Sequence, residues 1–539
     1  MGPLALWLLA ASLACGTQTR GGRDLLAWHA FAERRGLRQA SAPADTNDVG
    51  NVAVLVDAGD LVLRRNPFDL DDTGLRFAPN ARGGYDAARL TLPLELDGDT
   101  IPLSADGARE LALPFEFPFF GERHARAFVH ADGFVSFGAP DTGNAGRGPG
   151  RLLEGPPRIA AFLADLDPER GGRVAARLLP DRVVIAWADV PGAAQANRNA
   201  FSLTLRPDGS LDLVFGRLQT REGTVGLSPG GDAALVAADF SAAEPRGGPR
   251  GALVEGFAER ERLDLVAAVR RFLRSHPDAF EQLVVYTARP LNPQPGSLAF
   301  AVGVRNEVRG IGLPVHDDSA AWGSAGELAS VVYMDSVEAY REVDGFEILG
   351  HETGHRWLAQ LRFRGAEAER SGALLGRGDT HWSFFLDSDA SVLEGNRIEE
   401  QGGSRFATTD IVSGFSALDQ YAMGLRAAAE VPSFFYVALA DDFRPQRTYK
   451  ASSGPELGVS FTGVRRDVTI ADVVAAMGPR EPGFGQARRV LRQAYVLVAD
   501  AGAPATPERV AILERIRSRF PTWYHAATGG RGTVETSLP

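Results

Sequence analysis

The sequence predicts a multidomain protein in which an all-β sandwich is followed by an α+β domain, and three observations carry that prediction. A chain of 539 residues exceeds what one hydrophobic core organises, so two or three domains are expected. From Leu90 to about Asp239, short β-branched or alternating runs are separated by Gly, Pro and Asp turns. From Glu261 the apolar residues fall at helical spacing, and further on a predicted helix carries two histidines four positions apart.

Composition narrows the function classes. With 44% hydrophobic and 23% charged residues and a net charge of −11, the chain reads as folded protein, and it has no long basic run to suit a nucleic acid. Nucleic acid is therefore excluded as a leading partner.

Residues 1–14 form a short apolar stretch (Leu4, Ala5, Leu6, Trp7, Leu8, Leu9) that meets Cys15, the only cysteine. A spanning helix needs roughly 20 apolar residues, so this stretch reads as an export signal. Ser12-Leu13-Ala14-Cys15 resembles the lipobox of bacterial lipoproteins, which implies a lipid on Cys15 as the sole membrane attachment; simple secretion is the alternative. Either way the expected location is outside the cytoplasm, as a cell-envelope lipoprotein or a secreted protein. No second cysteine exists to form a disulfide.

Residues 16–89 are expected to be a tether, a helix near 25–35 and a strand-rich extension. Within it Val52 to Val56 and Leu61 to Leu63 read as a hairpin turning at Asp57-Ala58-Gly59-Asp60.

Residues 90–250 contain the runs Arg126 to His130, Phe134 to Phe137, Val183 to Trp187 and Phe201 to Leu205, a spacing that argues for a sandwich or barrel. Pro114-Phe115-Glu116-Phe117-Pro118-Phe119-Phe120-Gly121, Asp132-Gly133-Phe134-Val135-Ser136-Phe137-Gly138 and the stretch from Pro157 to Asp167 resemble the nidogen-like extracellular domain. The resemblance implies an extracellular protein or matrix ligand; a generic β-sandwich spacer is the alternative.

Residues 260–539 are expected to form the second domain. Leu265, Val266, Val269, Phe272 and Leu273 mark a helix, and Leu283 to Tyr286 a buried strand. Strand-like pieces follow at Leu298 to Val304 and Ser330 to Met334, then a helix from about Gly345 to Leu361. That helix carries Gly350-His351-Glu352-Thr353-Gly354-His355-Arg356-Trp357.

Two histidines at i and i+4 share one helical face, so His351 and His355 can approach a single ion from the same side. Zinc accepts neutral imidazole nitrogen at about 2 Å, and a catalytic site leaves one position for water. Glu352, between them, is placed as general base on that water. With nine histidines in the chain, chance produces this pattern in about one such sequence in a hundred.

The motif resembles the zincin metallopeptidases, and the helix and strands before it resemble the metzincin branch. The resemblance implies a zinc-dependent endopeptidase acting on a polypeptide substrate; the rival is a surface adhesion protein with a catalytically silent zincin domain. The short form of the metzincin motif is absent, because Leu358 and Leu361 stand where its glycine and third histidine would be. Members with an insertion take the third ligand from downstream. His381 is the candidate here, with a carboxylate (Glu394, then Asp387 or Asp389) as the alternative.

Met423, within Ser416 to Leu425, resembles the methionine turn of metzincins; a core methionine on an amphipathic helix is the alternative. Tyr421 is a candidate oxyanion donor, against a buried structural tyrosine. From Thr469 onward the chain is expected to be helical, with Val510, Leu513, Ile516 and Phe520 on one face.

Overall fold

The computed structural model describes residues 47–143, 146–153, 155–231, 233–291, 299–366, 368–439 and 449–539. Residues 1–46, where an export signal ending at Cys15, a tether and a helix near 25–35 are expected, lie outside the described residues.

The β-runs assemble into two seven-stranded sheets. One is antiparallel and runs Tyr85–Leu90, Gly74–Pro79, Leu211–Phe215, Asn199–Leu205, Val183–Val190, Arg173–Leu178, Asp99–Ile101. The other runs Ala234–Ala237, Gly251–Phe257, Gly223–Ser228, Arg158–Leu163, Phe134–Ser136, Glu122–His130, Ala108–Phe119. Strand alternation sends Phe77, Phe162, Trp187, Phe201 and Leu213 into one shared core, each fully buried. Trp187 stacks on Phe201 at 5.1 Å, and its indole N–H donates to the His130 carbonyl at 3.0 Å, so the largest core side chain keeps its polar atom satisfied.

The sandwich extends beyond the boundaries read from sequence. Gly74–Pro79 and Tyr85–Leu90, assigned to the extension 16–89, pair with each other and dock on Leu211–Phe215 because Leu75 and Phe77 alternate inward.

The hairpin expected at 52–63 does not form. Val52–Val56 pairs in parallel with Val490–Ala499, placing Val54 opposite Leu497, while Val62–Leu63 pairs with Arg262–Leu263. Asp57 does make the turn, its Oδ1 accepting from the N–H groups of Gly59, Asp60 and Leu61 at 2.9, 3.0 and 2.8 Å. The turn, however, leads the chain out of the sheet. A strand buried on both faces, as Val52 to Leu55 are, suits a parallel sheet interior better than a half-solvated hairpin.

That sheet runs Val52–Val56, Val490–Ala499, Gln282–Thr287, Ser330–Ser336, Phe300–Gly303, with Thr533–Glu535 beside the start of Val490–Ala499. The first four are mutually parallel and Phe300–Gly303 is an antiparallel edge. The expectation of a helical region from 469 onward therefore misses a central strand, again one apolar on both faces.

Val54, Val284, Val332, Tyr495 and Leu497 point to the face covered by the helices Phe346–Gly354 and Pro507–Ala527. Leu55, Leu283, Val285, Val331 and Val496 point to the other, where the helix Leu265–Ser275 and sandwich residues Phe134, Leu163 and Val254 meet them. The Asp264 carboxylate caps Leu265–Ser275 at the Ala267 N–H and also accepts from the Gly150 N–H of the sandwich, both at 2.9 Å. Arg270 on that helix donates to the Gly150 carbonyl at 2.6 Å and to the Ala321 carbonyl at 2.9 Å. The two halves thus share a polar joint as well as apolar contact.

A four-stranded antiparallel sheet (Asn396–Gly402, Arg405–Ile411, Ser460–Val468, Phe434–Leu439) forms a separate cluster around Phe384, Phe406 and Phe461. Nothing in the sequence reading anticipated it.

Candidate metal centre

Helix Phe346–Gly354 ends one residue before the second histidine, not at 361. His355 is its C-cap, and the chain turns away at buried Ala359, whose φ is 60°. Gly354 is required by packing: a Cβ there would sit 2.8 Å from Leu393 Cδ2 and 3.1 Å from Leu358 Cδ1.

On this short helix the rings of His351 and His355 stand nearly perpendicular, at 82°, with their Nε2 atoms 3.1 Å apart. His381 follows the turn Arg377–Asp379 and brings its ring centroid to 5.2 Å from His351 and 5.0 Å from His355. One ring nitrogen from each of the three lies within 4.8 Å of the others. A tetrahedral ion with bonds of about 2 Å needs donors about 3.3 Å apart, so the helical pair already has the spacing and the third ring is within a small adjustment of it.

The second nitrogens fix the tautomers. His351 Nδ1 faces the Val392 carbonyl at 2.8 Å and His381 Nδ1 faces the Arg377 carbonyl at 2.8 Å, so each Nδ1 carries the proton and each Nε2 keeps a lone pair. Burial pushes His351 down to about 4, with the Arg377 charge adding to it. Burial first, and then the neighbouring imidazoles, hold His355 and His381 well below the ordinary histidine value. At neutral pH all three are uncharged nitrogen donors, the form a metal takes.

Glu352 is on the same helix and 2% exposed. Beneath it, Thr353 donates to Gln282 Oε1 at 3.1 Å, and Gln493 donates to the same oxygen at 2.6 Å. Gln282 in turn reaches Ser330 at 2.8 Å, so one buried network ties the motif helix to three strands of the sheet.

The other candidates are held by other partners. Glu394 is buried but its carboxylate is held by Arg377, with Nε at 3.2 Å from both oxygens. Asp387 accepts from the Ile398 N–H at 3.0 Å, and Asp389 pairs with Arg397 at 2.7 Å. Tyr421 is not aimed at the histidines: its hydroxyl accepts from the Arg480 backbone N–H at 3.0 Å, the arrangement of a buried structural tyrosine. Met423 is the last residue of helix Ala417–Met423 and packs in the core, so the core-methionine alternative describes it.

Among the described residues one further group of three acids converges, Asp106, Asp132 and Asp165, and Arg147 Nη2 already sits among them at 2.8, 2.8 and 3.2 Å. The sequence reading missed Arg377, whose Nη2 lies 3.1 Å from His381 Nε2, and the Val392 carbonyl. Neither has a sequence signature, since a backbone acceptor can come from any residue and arginine is common throughout this chain.

The family model described as NIDO related matches residues 91–245. Those residues form a nidogen-related domain. The match starts after the strands Gly74–Pro79 and Tyr85–Leu90 and stops before Gly251–Phe257, all of which complete the sheets of the nidogen-related domain. No curated protein and no solved structure matches the chain.

Proposed function

We propose that this chain is an exported zinc metallopeptidase of the zincin type, carrying a nidogen-related domain and anchored through a lipid on Cys15. The observation that carries the reading is the arrival of His381, from 26 positions beyond the second motif histidine, at the ring nitrogens of His351 and His355. The donor set fits a zinc ion: three neutral imidazoles, two of them braced by carbonyls. The mixed sheet, with an antiparallel edge strand preceding the strand that leads to the motif helix, supports the metzincin-like fold of this half.

A zinc ion held by these residues would polarise the scissile carbonyl and acidify a water. Glu352 takes the proton from the attacking water and passes it to the departing amine. The Val392 and Arg377 carbonyls keep the rings of His351 and His355's partner His381 in the donor tautomer, and the Thr353–Gln282–Gln493 network holds the helix that places Glu352.

The nidogen-related domain favours a second reading, a surface adhesion protein with a silent zincin domain, whose ligand would be an extracellular protein or matrix. One experiment separates them. Purified protein is expected to contain about one zinc per chain and to hydrolyse a denatured protein substrate, with Glu352→Gln retaining zinc and losing about 10²–10⁴-fold in rate. Zinc without hydrolysis in the wild type supports the adhesion reading; equal activity in the variant removes the mechanism.

A further inference from the structure

We infer that Arg377, clamped by Glu394, is the group that stabilises negative charge on the ligand held opposite the three histidines; this rests on the peptidase reading above. Arg377 Nη2 lies 3.1 Å from His381 Nε2, the nitrogen left with a lone pair because Nδ1 is committed to the Arg377 carbonyl. A guanidinium N–H and a metal ion cannot share that lone pair. When the ion takes it, Arg377 yields the contact while Glu394 retains the guanidinium, through Nε at 3.2 Å from both carboxylate oxygens and through Nη2. That would leave a fixed cationic donor beside the three histidines.

Its chemistry suits that place. Guanidinium stays charged at any working pH and presents several N–H groups in a rigid plane, which favours an oxygen anion as its partner. Burial of both side chains, at 14% and 4% exposure, strengthens the charge–charge interaction relative to water. Glu394 offsets the repulsion between the two cations, which explains why a buried carboxylate stands so close to the site without joining the histidines.

In the hydrolytic step the water oxygen bonds to the carbonyl carbon, and the C=O π pair moves onto the carbonyl oxygen. The water proton goes to Glu352, and when the C–N bond breaks the nitrogen receives it. Arg377 donates to the oxygen that gains the charge, the role that Tyr421 was expected to fill and is turned away from.

The test uses inorganic phosphate as an oxyanion probe, titrated calorimetrically into the zinc-loaded full chain, alongside zinc content and steady-state rates. Arg377→Gln is expected to keep about one zinc per chain while binding phosphate about 10- to 100-fold more weakly, with kcat falling more than KM changes. Arg377→Lys, which keeps the charge without the planar fork, is expected to lie between the two and covers the case in which the Gln variant does not fold. A purely structural role would weaken zinc binding and phosphate binding together. Unchanged phosphate affinity in a zinc-loaded Gln or Lys variant, or no phosphate binding by the zinc-loaded wild type, overturns the inference and leaves the peptidase reading standing. A wild-type protein that takes up no zinc overturns that reading itself.

Discussion

The nidogen-related domain and the histidine-bearing half are both built on sheets, but they gather their strands differently. In the sandwich most hydrogen-bonded neighbours are close in sequence, as in the run Arg173–Leu178, Val183–Val190, Asn199–Leu205, Leu211–Phe215. In the other half Val52–Val56 and Val490–Ala499 lie side by side although more than four hundred residues separate them. The first half is specified by local alternation, whereas the second exists only when distant segments meet. The histidine cluster belongs to the second kind, since two donors come from one helical turn and the third from a separate excursion of chain.

If that contrast is right, damage to the site leaves the sandwich intact. His381→Ala is expected to lower zinc affinity by more than the roughly 10–100-fold typical of changes behind the ligands, while the nidogen-related domain's unfolding transition stays where it was. Metal analysis and differential scanning calorimetry on the same sample check both parts.

The converse experiment truncates the sandwich core. Trp187→Ala is expected to cost about 3–5 kcal/mol in the unfolding of the nidogen-related domain, with zinc still bound to the variant. Loss of zinc in step with the sandwich transition would mean that the two halves unfold as one unit.

Acid–base behaviour sharpens the distinction further. Burial pushes the Glu255 carboxyl up to about 8, although it accepts from the Phe240 N–H at 2.7 Å and from Asn66 at 3.0 Å. Because the folded state holds this proton more tightly than the unfolded chain, its contribution is complete below pH 4.5 and is lost as pH rises through 8. The sandwich is therefore expected to weaken by on the order of a few kcal/mol from pH 5 to pH 9, and Glu255→Gln to flatten that dependence. A wild-type melting profile independent of pH over that span would contradict it.

The smallest effect concerns the joint. Asp264→Ala removes a helix cap and the Gly150 contact together, and is expected to cost about 1–2 kcal/mol and to separate the two melting transitions further.

Legibility followed the same division. The strand runs of the sandwich, the helix at 265–275 and the motif helix could be read because each signal is local, and so could the histidine pair at i and i+4. His381 was reachable only by elimination among nine histidines. The strands Val52–Val56 and Val490–Ala499 were misread as a hairpin arm and part of a helical region, because an apolar run does not name its distant partner. Arg377 and the Val392 carbonyl were beyond reading for a related cause: their importance lies in where the fold delivers them.

The edge strand Val52–Val56 also has a consequence for how the molecule is made. A nascent chain emerging from the ribosome can close the sandwich once residue 257 is clear, but the earliest described strand must wait for its neighbour at 490–499, more than four hundred residues later. Five apolar residues stay exposed through that interval, open to capture by a chaperone or by another chain. For the same reason a proteolytic cut beyond residue 52 would strip the margin of the sheet on which the motif helix rests.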